Sequence, residues 1–202
     1  MGLSTGNSLA SAASGGGSSG LSSSQVTTLI KSNTPYQHIA TLTASTSSSL
    51  EYTSLSTDFR TFRIVYDGLT GNQNQYVRMQ FYLDGALDTT GNYRYSGIER
   101  TATSANRYNT SSSYFGIIYN YEWGGGYPLI GFTEFTGNEA NFRTNMYSST
   151  AWQQGSNIRQ SQINGHYNGA LNSLITGFKL YPSSGTWSRG SIKIYGMNKN
   201  ES

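Results

Sequence analysis

The 202-residue chain contains no cysteine and only three prolines. Without thiols it forms no disulfide and no thiolate metal site, and its redox compartment is left open. Charge is scarce as well. Asp, Glu, Lys and Arg make up 11% of the residues, against about 25% in ordinary domains. Hydrophobic residues make up 35%, against about 45–50% on a slightly broader count that includes Gly. A helical bundle or coiled coil, which draws on Ala, Leu, Glu and Lys, is excluded by this composition. No run approaches the ~20 apolar residues needed to span a membrane as a helix, so no membrane insertion is expected.

Ser, Thr, Asn, Gln and Gly fill the gap, together with 16 tyrosines. Aromatic residues at 13% are too frequent for a charged disordered chain. The net charge is +3, and nine of the thirteen cations are arginines scattered from Arg60 to Arg189. No clustered basic stripe is visible, so no nucleic-acid partner is expected. Arginine also suits protein–protein contacts, because its planar fork bonds carboxylates and carbonyls and stacks on rings.

The first thirty residues carry no charge, and Met1–Ser24 is mostly Ser, Gly and Ala. Such a segment buries too little apolar area to offset its own ordering entropy. It lacks the positive n-region and apolar h-region of a signal peptide. A flexible linker, a cloning scar and an arm that orders against a partner all fit, and the arm is the favoured reading. In Leu21–Asn33, Ser22 and Gln25 have the spacing of a capping box, and Val26, Leu29 and Ile30 share one helical face. The expected organisation is an extended Gly/Ser-rich arm with a short helix over residues 1–34 and a β domain over 35–202, with Pro35 at the boundary.

From Tyr36 onward the pattern is strand, turn, strand. In Gln75–Leu83, Val77, Met79, Phe81 and Leu83 point one way and Tyr76, Arg78, Gln80 and Tyr82 the other. Thr61–Asp67, Leu174–Leu180 and Ser191–Met197 alternate likewise. Further strands are expected at His38–Ala44, Tyr93–Ile98, Tyr114–Asn120, Leu129–Phe135, Phe142–Ser148 and Ile158–His166. Turn signals include Asp67-Gly68, Gly71-Asn72, Asp84-Gly85, Gly91-Asn92, Gly137-Asn138, Asn164-Gly165 and Ser183-Ser184-Gly185. Eight to ten short strands over about 160 residues predict an all-β, jelly-roll-like antiparallel sandwich.

Catalytic signatures are weak. His38 and His166 lie far apart and have no cysteine to complete a metal site, so neither a metal nor any other cofactor is expected. From Tyr36 onward the Gly-x-Ser-x-Gly elbow is absent, and Gly124-Gly125-Gly126 lacks the Lys and Ser/Thr of a phosphate loop. Glu122, Glu134 and Glu139 are the carboxylates closest to a glycosidase pair, although no motif frames them. A non-enzymatic role is expected.

One segment concentrates rings beside a glycine-rich bend: Tyr114–Pro128, with Tyr119, Tyr121, Trp123 and Tyr127 as candidate partner- or glycan-contact residues. Rigid Tyr and Trp give contact area at small entropic cost, whereas the plainer reading makes these rings the edge of the core. Trp152 and Trp187 carry the same ambiguity.

Two landmarks carry a resemblance. Leu174–Gly196 is a hairpin ending in Ile192-Lys193-Ile194-Tyr195-Gly196, and Leu50–Leu55 is followed by Phe59-Arg60-Thr61-Phe62-Arg63-Ile64-Val65. Over Tyr36–Met197 the chain resembles the β-sandwich surface proteins of tailed-bacteriophage virions. The resemblance implies a capsid decoration or cement protein on the outer surface of a particle, or a tail-fibre module. It also implies a homotrimer, the major capsid protein or other virion proteins as partners, a host-surface glycan as a further partner of a tail module, and no catalytic residues.

Overall fold

The structure, a computed structural model, describes residues 22–25, 35–123, 126–137, 143–169 and 173–198. It divides into two units, Met1–Thr34 and Pro35–Ser202. In the first, Ser23–Gln25 is helical. The backbone N–H of Ser22 donates to Gln25 Oε1 at 2.8 Å, and the backbone N–H of Gln25 donates to Ser22 Oγ at 3.3 Å. This reciprocal pair is a capping box. Met1–Leu21, and with it most of the expected arm, lies outside the described residues, as do Val26, Leu29 and Ile30.

Among the described residues the second unit is an antiparallel sandwich of thirteen strands. In chain order they are β1 (Tyr36–Thr43), β2 (Leu50–Tyr52), β3 (Phe59–Gly71), β4 (Gln75–Leu83) and β5 (Ala86–Leu87). Then come β6 (Tyr93–Arg100), β7 (Ala105–Ser112), β8 (Phe115–Trp123) and β9 (Leu129–Thr136). The last are β10 (Asn145–Gln154), β11 (Asn157–Tyr167), β12 (Ile175–Pro182) and β13 (Trp187–Asn198). One sheet runs β1-β13-β3-β9-β10-β11-β6-β7, and the other runs β2-β12-β4 with β5 and β8 both pairing β4.

Set aside β5–β7 and β10–β11, and eight strands remain. Four of them, β1-β13-β3-β9, face the other four, β2-β12-β4-β8. The chain changes sheet at each of the steps β1 to β2, β2 to β3, β3 to β4, β8 to β9 and β12 to β13. That is the double Greek key of a jelly roll. The two remaining hairpins, β6–β7 and β10–β11, are inserted between consecutive jelly-roll strands and widen one sheet to eight strands.

Alternation explains the core. Phe62, Ile64 and Tyr66 of β3 and Val77, Met79 and Phe81 of β4 are buried, as their period-two spacing requires. Rings bridge the sheets: Phe135 of β9 lies 5.0 Å from Phe81 of β4, and Trp123 of β8 lies 5.7 Å from Trp187 of β13. Three of the buried hydroxyls form a chain in which Tyr66 donates to Thr133 at 2.6 Å and Thr133 donates to Ser148 at 3.0 Å.

Several expectations are corrected. Asp67-Gly68 is not a turn but a bulge inside β3, where Gly68 takes φ of 64° and the pairing slips between Tyr66 and Leu69. Asn164-Gly165 lies in the middle of β11, paired in register on both sides. In β12 a register shift between Ile175 and Gly177 puts Ile175, not Leu174, into the core beside Phe178 and Leu180. Strand β10 begins at Asn145 and runs on to Gln154. Strands β2, β5 and β7 are short or polar, and the alternation signal passed over them.

Candidate binding cleft

Strand β8 carries the aromatic segment and explains why its rings divide between two fates. Its residues Phe115, Ile117, Ile118 and Trp123 are fully buried. The Trp123 indole N–H donates to the Tyr127 carbonyl at 3.0 Å, which closes the bend at the end of the strand. Trp123 is therefore core, with no face left for a partner. Trp187 and Trp152 are buried as well, and the Trp187 indole donates to the Leu180 carbonyl at 3.3 Å. Tyr127 is half-buried, and the side chain of Tyr121 lies outside the described residues.

Tyr119 has the other fate. It is half-buried and lines a cavity of about 360 Å³ with Tyr76 and Arg78 of β4 and with Tyr114 and Ile118. The Arg78 guanidinium stacks 4.3 Å over the Tyr114 ring. Its Nε is buried and has no hydrogen-bond partner among the described residues. Arg78 is also the strand partner of Tyr181 on β12. Burial raises the Tyr181 hydroxyl above its ordinary value and Tyr114 adds to the rise, while nearby Arg78 works against it. The cleft thus assembles Tyr76 of β4, Tyr119 of β8 and Tyr114, just before β8, around one stacked arginine. Such rings offer flat apolar faces with hydroxyl tips, which suits a ligand both apolar and hydrogen-bonding.

Behind the cleft lies a buried cluster. Tyr119 packs 4.8 Å from Tyr108 and 5.6 Å from Tyr95. Burial, reinforced by neighbouring groups, pushes the hydroxyls of Tyr95 and Tyr108 well above the ordinary tyrosine range. Glu99 is fully buried on β6, and its Oε1 accepts the backbone N–H of Tyr119 at 2.6 Å and the Ser161 hydroxyl at 3.3 Å. This glutamate positions β8 against the inserted hairpins. No local motif marks it. The Tyr76/Arg78 face of β4, in contrast, is visible in the sequence as the outward half of an alternating strand.

Glu134 is held by Arg63 at 2.5 Å and also accepts the Tyr36 hydroxyl at 3.4 Å. Arg63 itself lies between the Tyr36 and Phe132 rings, 4.4 and 4.6 Å from their centroids. Glu122 is exposed, and Glu139 lies outside the described residues. His38 bonds Thr41 at 2.9 Å on β1, whereas His166 sits on β11. Among the described residues no group of three or more His, Asp or Glu could hold a metal ion, and no helix is long and apolar enough to cross a membrane. Comparison with protein-family models, with curated proteins and with solved structures found no match to this chain.

Proposed function

We propose that this chain is a non-catalytic structural protein of a phage particle, decorating or cementing the outside of the capsid, with its Gly/Ser-rich leading segment as the attachment element and the jelly roll displayed outward. The observation that supports this reading is how the two landmarks of the resemblance meet. Residues 50–52 pair with β12, and β3 pairs with β13, so both landmarks join the same terminal hairpin, one in each sheet. The residues that carry the resemblance are therefore one structural unit. Ordering a Gly/Ser arm costs entropy, and a multivalent lattice offsets that cost through repeated contacts.

The test is occupancy on particles. Full-length chain and chain lacking residues 1–24 are added to particles stripped of this protein, and co-sedimentation is measured. The truncated chain should keep its β circular dichroism and lose binding. Equal occupancy of the two forms overturns the attachment role. Imaging of intact particles places the chain on the capsid or on the tail.

The tyrosine cleft favours a second reading, a receptor- or glycan-binding module of the tail. A glycan array decides it. Specific binding lost in Tyr114→Ala supports this reading, and no binding across a broad panel removes it.

A further inference from the structure

Three of the arginines scattered in sequence share one face in space: Arg94 and Arg100 on β6 and Arg107 on β7. Strands β11, β6 and β7 form one flank of the larger sheet, and their burial alternates over the middle of β11, the start of β6 and the end of β7. Tyr93, Tyr95 and Glu99 point into the core. Arg94, Ser96 and Arg100 point out from β6, Arg107, Asn109 and Ser111 from β7, and Gln160, Gln162, Asn164 and His166 from β11. Register brings them together: Arg94 is the strand partner of both His166 and Ser111, and Ser96 is the partner of both Asn164 and Asn109. The face is concave there, with a cavity of about 620 Å³ lined by Arg94, Ser96, Asn109, Ser111, Asn164 and His166.

The charge on this flank has one sign. Its outward positions hold three arginines and a histidine and no carboxylate. The three arginines alone equal the net charge of the whole chain, 13 − 10 = +3. Two other outward cations of this sheet are neutralised, Arg63 by Glu134 and Lys193 by Asp67. Arg94 and Arg107 have no such carboxylate among the described residues. Tyr147, 37% exposed on β10, is the strand partner of Asn164 and adds a ring at the border.

We infer that this flank binds an acidic polysaccharide, with Arg94, Arg107 and His166 meeting its carboxylate or sulfate groups and the surrounding amides and hydroxyls bonding its sugar hydroxyls. Neutral donors and acceptors outnumber cations on the face, which fits a polyhydroxyl chain bearing charge at intervals. A nucleic acid would call for a denser row of cations along a phosphate backbone and for several rings to stack bases. The site is separate from the tyrosine cleft and does not rest on the virion reading.

The test uses the full chain in affinity electrophoresis through gels containing polygalacturonate, a sulfated glycan or neutral dextran, with a single-stranded oligonucleotide as competitor. Retardation by either acidic polymer, weakening as salt rises, is expected, with none by dextran. Arg94→Gln combined with Arg107→Gln should weaken retention by about tenfold or more. Arg60→Gln combined with Arg189→Gln, which removes equal charge elsewhere, should change it little. Circular dichroism verifies that both variants are folded. No retardation by either acidic polymer, equal weakening in the two variants, or displacement by the oligonucleotide in preference to free glycan overturns the inference.

Discussion

The carboxyl group of Glu99, fully buried on β6, accepts the backbone N–H of Tyr119 on β8 at 2.6 Å. The two residues belong to different parts of the fold, one to an inserted hairpin and the other to a jelly-roll strand. Their bond fixes the strand that walls the tyrosine cleft. Glu99→Ala should leave the Tyr119 amide short of an acceptor, while the Ser161 hydroxyl keeps the Ile117 carbonyl at 3.1 Å. A loss of about 1–3 kcal/mol is expected in denaturant unfolding, with a smaller loss in Glu99→Gln, which keeps one acceptor oxygen. An unchanged midpoint in Glu99→Ala would show that the bond carries no stability.

Trp123 and Tyr114 stand close in sequence and should behave oppositely. Trp123→Ala opens a cavity in the core and leaves the Tyr127 carbonyl without its indole donor. The expected cost is about 3–5 kcal/mol. Tyr114→Ala removes a ring from the wall of the cleft, and its cost should stay under about 1 kcal/mol. Comparable losses in urea titrations of the two variants would contradict this division between core and surface.

Gly131 in β9 has φ of 125°, a region that L side chains rarely adopt. A Cβ there would also run into the Ser149 carbonyl oxygen on the paired strand. Gly131→Ala is expected to destabilise by about 1–3 kcal/mol or to block folding. Gly91→Ala, in open space and with no positive φ, serves as the control and should be near neutral. Thermal melts of the pair read the difference.

Alkaline pH should unfold the protein through its interior tyrosines. Burial raises the hydroxyls of Tyr66 and Tyr93 far above 10.0. The unfolded chain therefore releases these protons first. Stability is fully present below about pH 10 and falls above it, by roughly 1.4 kcal/mol per pH unit for each of the two. Absorbance titration of tyrosinate should show a fraction that ionises only together with the loss of β circular dichroism. Smooth ionisation of all 16 tyrosines in the folded state would refute this.

Period-two alternation in Thr61–Asp67 and Gln75–Leu83 determined which side chains enter the core, because a pleated strand leaves no other choice. Low charge and abundant Tyr, Ser and Asn determined an all-β chain, and the Ser22/Gln25 spacing determined a helix cap. The division of Tyr114–Pro128 into buried Trp123 and cleft-lining Tyr114 and Tyr119 was decided only by tertiary pairing. A ring's exposure depends on what the opposite sheet and the inserted hairpins lay over it, and those contacts are remote in sequence. The Asp67-Gly68 bulge was decided in the same way, since the Asp-Gly pair fits a turn equally well until strands pair on both sides. Arg94 and Arg107 are separated along the chain, and hairpin register alone brings them with His166 onto one face.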